Sequence, residues 1–122
     1  MPELFHITER ATWLEAARAG EYRMSTRGIT LEEQGFIHCS LRHQLPAVAA
    51  LVYGDVADDE LVVLVIDSEA VLVPIRHEAA KAGGEDFPHI YGALAVSAVT
   101  EAVALSRDAS GSVSIGGGPI SR

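Results

Sequence analysis

The chain has 122 residues, of which 48% are hydrophobic and 21% are charged, a balance typical of a single globular domain. Seventeen acidic residues against nine basic ones give a formal net charge of −8, which argues against duplex nucleic acid as a partner. A single cysteine excludes an intrachain disulfide and favours the cytoplasm, and the sequence has neither a signal-peptide pattern nor roughly 20 consecutive apolar residues, so we expect no membrane anchor.

The first predicted elements are a strand, a helix and a single helical turn. Leu4 to Ile7 has the pattern of a strand, and Thr8 is placed to cap a helix that runs from about Glu9 to Ala19. Gly20 is expected to end that helix. Thr30-Leu31-Glu32-Glu33 has the form of a capping box and predicts one further helical turn.

A short apolar strand and a longer helix follow. The strand is predicted from Phe36 to Cys39, and Ser40 is placed to end it and to cap the next helix. Apolar residues from Leu41 to Val52 then recur at spacings of three and four, which predicts a helix that stops near Tyr53-Gly54.

The middle of the chain predicts an acidic turn and two strands. Residues 55–60 are acidic and are expected to face water without a ligand. Leu61 to Ile66 is continuously apolar, as in a strand buried on both faces. Val71 to His77 is predicted to pair with it in antiparallel fashion, because the break between them is short, and Pro74 suggests a sheet edge or a bulge.

The last third is predicted to contain a loop, a long strand and a closing hairpin. Residues 79–86 form a small-residue loop that could cover a ligand. Residues 96–105 and 113–115 read as strands joined by a turn. We therefore expect one α+β domain over residues 1–115, with helices gathered in the N-terminal half, and a flexible tail over 116–122.

Three predicted extended segments each carry a histidine, namely His6, His38 and His89, which suggests one shared cleft. A neutral His38 could act as a general base with a pKa near ambient pH, and Ser40, on the same strand face, would add a hydroxyl. Gly35 would allow close backbone approach. The alternative is that His38 is a hydrogen-bonded core histidine.

The blocks Glu33-Gln34-Gly35-Phe36-Ile37-His38-Cys39-Ser40 and Phe87-Pro88-His89-Ile90-Tyr91-Gly92, together with Phe5-His6-Ile7, Trp13 and Glu78, resemble the family known as domain of unknown function 952. The resemblance covers about residues 4–105. Through fold similarity it implies an ADP-ribosyltransferase-like fold, in which NAD binds in a cleft between two small, mostly antiparallel sheets.

The resemblance also implies roles for individual residues. His6 and Thr8 look like the first-strand element that holds the ribose on the nicotinamide side, although Ile7 stands where many transferases have glycine. His38 and Ser40 look like the second-strand element that packs on the ring, and Glu78 looks like the glutamate that engages ribose.

The predicted site therefore has two groups of residues. The predicted catalytic residues are His38, Glu78 and His89, and the predicted substrate-binding residues are His6, Thr8, Ser40, Arg42 and Tyr91. Glu78 would stabilise positive charge on a sugar carbon, unless it is a solvated strand end. Arg42 or Arg76 could contact a phosphate, unless both are surface charges. Tyr91 could instead pack in the core.

The function expected from these residues is enzyme-like, with NAD or a related small nucleotide or phosphorylated ligand as substrate and chemistry at a ribosyl carbon. Two alternatives stay open: a non-catalytic nucleotide-binding module, and a metal-dependent hydrolase that uses the histidines. The sequence has no local metal-ligand spacing, so we predict no metal site. Cys39 is expected to face the core and to be inert. The sequence does not predict an oligomeric state.

Overall fold

The computed structural model describes residues 3–79, 82–116 and 118–119. The described α-helices are α1 (Arg10–Ala19), α2 (Leu31–Gln34) and α3 (Leu45–Tyr53). The described strands are β1 (Glu3–Glu9), β2 (Glu21–Tyr22), β3 (Met24–Thr26), β4 (Ile29–Thr30), β5 (Ile37–His38), β6 (Leu61–Asp67), β7 (Ile75–Ala79), β8 (Asp86–Ile90), β9 (Leu94–Ala95), β10 (Val99–Arg107), β11 (Val113–Ile115) and β12 (Gly118–Pro119). Short 3-10 helices cover Arg42–Gln44, Asp58–Glu60, Ser68–Ala70 and Val96–Ala98.

The scaffold is a five-stranded sheet in the order β1-β6-β10-β11-β12, with antiparallel pairing throughout. Strand β6 pairs with β1 on one side and with β10 on the other, and six of its seven residues are buried. This confirms the prediction of a strand buried on both faces, because an uninterrupted apolar run leaves no face for water.

The side chains of β6 alternate between two apolar clusters. Val62, Leu64 and Ile66 pack with residues of α1, β5 and β8. Leu61, Val63 and Val65 pack with residues of α3, β1 and β11. The sheet is therefore sandwiched, with α3 on one face and the smaller sheets, together with α1, on the other.

A three-stranded sheet in the order β5-β8-β7 lies beside the large sheet. The two are joined by a bridge in which the Phe5 N–H donates to the Ser40 carbonyl at 2.9 Å and the Ser40 N–H donates to the Phe5 carbonyl at 2.7 Å. Two further two-stranded sheets, β2-β9 and β3-β4, complete the described part of the chain. The α+β character and the antiparallel pairing are as predicted, but the described strands form four sheets where two were predicted.

Two predicted helix boundaries are confirmed by their caps. Gly20 ends α1 in the left-handed conformation, with φ of 91°, and its N–H donates to the Ala16 carbonyl. Thr30 and Glu33 form the predicted capping box at the start of α2. Gly35 ends α2 with φ of 96°, and a Cβ there would meet no atom within 4 Å. Its role in the fold is thus the left-handed turn, and apart from its chain neighbours no described protein atom lies close to that Cβ position.

Two residues predicted to cap helices do not do so. Thr8 does not cap α1, because it lies inside β1 with its buried hydroxyl 2.8 Å from the Tyr22 hydroxyl. Ser40 does not cap α3, because its backbone is used in the bridge to Phe5 and a 3-10 turn precedes the helix. In both cases the backbone pairs with another strand, and the side chain does not form the local helix cap.

The predicted pairing of Val71–His77 with β6 is also wrong. After β6 the chain passes through the 3-10 helix Ser68–Ala70 and an extended segment. Strand β7 then pairs with β8 instead of β6. Both edges of β6 are occupied by β1 and β10. The short connection after β6 could not predict this, because β1 and β10 are distant in sequence. Pro74 lies just before β7, an edge strand of its sheet.

Two further predictions differ from the structure. Helices are not confined to the N-terminal half, since the 3-10 helices Ser68–Ala70 and Val96–Ala98 lie in the second half. The residues predicted as a loop before Phe87 include Asp86, which begins β8, and residues 80–81, which lie outside the described part.

The closing hairpin β10-β11 is as predicted. In the predicted tail, Gly118–Pro119 pairs with β11, whereas residues 117 and 120–122 lie outside the described part. Among the described residues, no helix has the length and apolar character needed to span a membrane.

Arg107, at the end of β10, ties the end of α3 to the acidic segment that follows it. Its guanidinium donates to the carbonyl oxygens of Ala49, Tyr53 and Val56 at 3.2, 3.0 and 2.6 Å. Its Nε donates to Asp58 Oδ1 at 2.7 Å. Burial acts to raise the pKa of Asp58, but the hydrogen bonds from Arg107 outweigh it and leave that pKa lowered. The acidic turn, predicted to face water, thus contributes a structural ion pair.

We expect Arg107→Met to lower the free energy of unfolding by about 2 kcal/mol, because it leaves three carbonyls and a carboxylate without their donor. Chemical denaturation monitored by circular dichroism measures this loss. Arg18→Met is the matched control, since Arg18 is exposed at the end of α1. Equal stability of the two variants would contradict the assignment.

Candidate functional site

The three-stranded sheet brings the predicted catalytic residues together. Strands β5 and β8 pair His38 directly with His89, and β7 pairs Glu78 with Phe87 on the other side of β8. Cross-strand neighbours in such a sheet have Cβ atoms about 5 Å apart, so the register alone brings His38 close to His89. The structure thus brings His38, Glu78 and His89 together.

A chain of hydrogen bonds links these three side chains. Glu78 Oε1 lies 2.9 Å from His89 Nδ1, and His89 Nε2 lies 3.2 Å from His38 Nδ1. The Tyr91 hydroxyl donates to the same Glu78 oxygen at 2.6 Å. We call this set, Glu78, His89 and His38, the carboxylate–histidine chain.

The position of each proton follows from the partners. An ionised Glu78 can only accept, so His89 Nδ1 carries a proton and donates it. In neutral His89 the Nε2 atom then accepts, and His38 Nδ1 is the donor. His38 Nε2 is left with a lone pair and has no partner among the described residues.

Burial and hydrogen bonding set the protonation states of the carboxylate–histidine chain. Burial, together with the neighbouring His89, lowers the pKa of His38 to about 4. Hydrogen bonds from Tyr91 and His89 lower the pKa of Glu78, which keeps the carboxylate ionised at neutral pH. His38 is therefore neutral near pH 7 in the free protein, with a pKa below the near-ambient value expected from the sequence.

Aromatic rings hold the two imidazoles in place. Phe36 stacks on His89 with ring centroids 4.0 Å apart and planes within 18°. Phe87 lies 5.1 Å from the His38 ring, and Phe36 also contacts Tyr91 at 5.3 Å. Rings fixed in this way keep their nitrogen atoms aimed at their partners, which a general acid or base requires.

The carboxylate–histidine chain forms one wall of an open cleft of about 530 Å³. The lining residues come from α2, α3 and strands β3, β5, β7 and β8, with Phe36 between α2 and β5, and are Ser25, Thr26, Gln34, Phe36, His38, Val52, Glu78, Ala79 and His89. A cleft of this volume lies in the range of small-molecule binding sites. Among the described lining residues none is Lys or Arg, and Glu78 is the one carboxylate.

His6 lies behind the cleft and does not line it. Its side chain is only 3% exposed, and its Nδ1 donates to the backbone carbonyl of His38 at 2.7 Å. Its Nε2 lies 2.7 Å from the Tyr22 hydroxyl, which also contacts Thr8. Burial lowers the pKa of His6 to about 4, against a smaller opposing effect of the bond to His38. His6 thus positions the β5 backbone, and reaches the cleft only through His38.

The other predicted binding residues fall in different places. Ser40 and Thr8 are buried and do not line the cleft. Arg42 lies over the Phe5 ring, 5.8 Å from its centroid, beside a separate depression. Tyr91 contacts the site through its bond to Glu78. Arg76, whose guanidinium lies 5.0 Å from the centroid of the Tyr91 ring, is placed beside the carboxylate–histidine chain.

The described residues contain no group of three His, Cys, Asp or Glu side chains arranged to hold a metal ion. His38 and His89 share a hydrogen bond instead of directing nitrogen atoms at a common point. Cys39 is free and fully buried, and burial raises the pKa of its thiol, as expected for an inert core cysteine.

Sequence reasoning missed four residues of the cleft lining. They are Ser25, Thr26, Gln34 and Phe36, which covers His89. Phe36 offered a usable signal, because in the predicted strand Phe36–Cys39 it shares a face with His38. Ser25 and Thr26 lie on β3, a strand too short for its pattern to be recognised.

Comparison with known proteins now places the chain. The sequence profile of the family described as Protein of unknown function (DUF952) matches residues 7–102. The chain belongs to the DUF952 family. Both motif blocks that carry the site lie inside the matched range, so the family assignment covers the carboxylate–histidine chain.

Solved structures of protein CC0527 from Caulobacter crescentus are similar to this DUF952 protein. Its crystal structure has 31% sequence identity and a TM-score of 0.71, over 96% of this chain and 92% of that one. Its solution NMR structure has 32% identity and a TM-score of 0.71, over 96% and 93%. A crystal structure of a double mutant gives 31% and 0.70, over 96% and 92%. A comparison with curated proteins gave no match.

Proposed function

We propose that this DUF952 protein is a cytoplasmic enzyme with an ADP-ribosyltransferase-like fold that binds NAD or a related nucleotide-sugar and acts at a ribosyl carbon. The observation that carries the proposal is the carboxylate–histidine chain, which starts at Glu78 and ends at the unpartnered Nε2 of His38 in the cleft wall. Such an arrangement moves a proton away from a nucleophile and stabilises the resulting charge.

In the proposed reaction, the glycosidic bond between the ribosyl C1′ and the nicotinamide nitrogen breaks, and nicotinamide leaves with the bonding electrons. Water attacks C1′, and His38 Nε2 takes its proton as the new C–O bond forms. His38 passes its Nδ1 proton to His89 Nε2, and His89 passes its own Nδ1 proton toward Glu78. The products are ADP-ribose and nicotinamide, and one proton is released to solvent when the relay reverses and Glu78 returns to its ionised form.

Glu78 has a second role in this proposal. One of its oxygens accepts from His89 and Tyr91, while Oε2 has no partner among the described residues. An ionised carboxylate at the cleft wall stabilises positive charge that develops on the sugar carbon as the leaving group departs. The lowered pKa of Glu78 keeps that charge available at neutral pH.

We assign the phosphate contact to Arg76 in preference to Arg42. Arg76 lies over Tyr91, whose hydroxyl bonds to Glu78, so its guanidinium stands beside the site. Arg42 belongs to a different depression. Phosphates of a bound dinucleotide would lie outside the cleft itself, because no described residue of the cleft lining is Lys or Arg.

Thermal shift with NAD, ADP-ribose, nicotinamide and ribose 5-phosphate tests binding, because a ligand that binds only the folded state raises its stability. We expect NAD to raise the melting temperature, and chromatography of the same sample to show nicotinamide and ADP-ribose in equal amounts. Binding of NAD without nicotinamide release would select a non-catalytic binding module. Failure of all four compounds to bind would overturn the proposal.

A further inference from the structure

Ser25 has a feature that no other described residue shares. Its side chain is fully buried, and its Oγ exposes less than 1 Å² and has no hydrogen-bond partner. Buried hydroxyls in folded proteins almost always have a hydrogen-bond partner, so one without a partner is unusual. The atom also has almost no surface that solvent can reach.

The location of Ser25 supplies the explanation. It lies on β3 and lines the same cleft as the carboxylate–histidine chain. Thr26 and Gln34 also line the cleft, and neither side chain has a hydrogen-bond partner among the described residues. Three polar side chains without a protein partner therefore belong to the cleft wall, and of these only Ser25 is also closed off from solvent.

The chemistry of this wall specifies the kind of group that fits. Hydroxyl and carboxamide groups both donate and accept hydrogen bonds, and none of the three carries a charge. An anionic group would find no cation among the described residues of the cleft lining and would face the ionised Glu78. The wall therefore suits an uncharged group with several hydroxyls.

We propose that Ser25 Oγ hydrogen-bonds a hydroxyl of the ligand's sugar and so holds the ribosyl carbon against His38. This inference rests on the proposed function, since it identifies the portion of the nucleotide-sugar that occupies the cleft. It requires the Ser25 hydroxyl to turn into the cleft about its Cα–Cβ bond when the sugar binds. Turning costs the fold no hydrogen bond, because the hydroxyl makes none in the free protein.

Ser25→Ala separates a binding role from a structural one. Removing an unbonded buried hydroxyl costs no hydrogen bond, so the melting temperature of the free variant should equal or exceed that of the parent protein. Loss of one hydrogen bond to the ligand should raise the dissociation constants for ADP-ribose and for NAD by about 3- to 10-fold. Calorimetry and thermal unfolding measure the two effects. Ser114→Ala, the same substitution on β11 of the large sheet, should change neither.

Each outcome decides the matter. A Ser25→Ala variant of unchanged or higher melting temperature with weaker binding supports the inference. A clear fall in melting temperature, or unchanged dissociation constants, overturns it and leaves the proposed function standing. If the parent protein binds neither ADP-ribose nor NAD, both the proposed function and the role of Ser25 fall together.

Discussion

Glu78→Gln is expected to reduce nicotinamide release from NAD by about 10²- to 10⁴-fold, the usual contribution of a positioned acid–base group. The glutamine oxygen still accepts from His89 Nδ1 and from the Tyr91 hydroxyl, so the imidazoles keep their orientation. What disappears is the negative charge that receives the proton and stabilises the sugar cation. Turnover should therefore fall while NAD binding and the melting temperature change little.

Glu85→Gln is the matched control for this result. Glu85 also pairs with a histidine, at 2.9 Å from His43 Nε2, but both side chains are more than half exposed and neither lines the cleft. Exposed pairs of this kind contribute little, so turnover and stability should stay close to those of the parent protein. Equal losses in the two variants, or undiminished turnover in Glu78→Gln, would refute the role of Glu78.

The carboxylate–histidine chain also predicts how substitutions combine. If His38 and Glu78 act as one unit, His38→Ala alone should cost about as much turnover as Glu78→Gln, and the double variant should cost little more. Independent residues would instead multiply their losses. Steady-state kinetics of the three variants distinguishes these two outcomes.

Acidification should destabilise the protein before any carboxylate titrates. The pKa of His6 is about 4 in the folded protein against 6.5 for an ordinary histidine, so the unfolded chain binds the proton first. Stability is then complete above pH 6.5 and falls as the pH drops toward 4, by about 3 kcal/mol for His6. His38 adds to the same slope, but by less because solvent partly screens it.

Urea unfolding between pH 7.5 and 4.5 measures this slope. Over most of that range the carboxyl groups of the unfolded chain, with ordinary pKa values of about 4, bind few protons, so histidines dominate it. His6→Gln should be less stable at neutral pH but should show a shallower slope. His77→Asn, at an exposed histidine, should leave the slope unchanged. A parent protein whose stability is constant from pH 7.5 to 4.5 would contradict this account.

The parts of the fold that could be predicted were those with a local cause. The β6 strand followed from an uninterrupted apolar run, and the Thr30 box and Gly20 cap followed from side-chain chemistry at helix ends. The partner of β7 could not be predicted, because strands far apart in sequence had already filled both edges of β6. Loop length alone therefore gave the wrong partner.

The candidate site was predictable to a similar extent. Residue chemistry and family resemblance together predict a site at His38, Glu78 and His89. Strand pairing brings these three residues together. His6 carried the same local pattern, yet it lies on the other side of the β5 backbone, a difference that only tertiary packing decides. Ser25 carried no pattern, and its lack of a hydrogen-bond partner is visible only in three dimensions.

The alternation of β6 between two clusters has a practical consequence for protein engineering. Val63 faces the half of the interior beneath α3, whereas Leu64 faces the half that supports β5 and β8. The half beneath α3 can therefore be redesigned for heat resistance around Val63, provided that Val52 of α3 is kept, because it lines the cleft. The side chains that β6 directs toward β5 and β8 are best left unchanged, because they support the strands that carry the imidazoles.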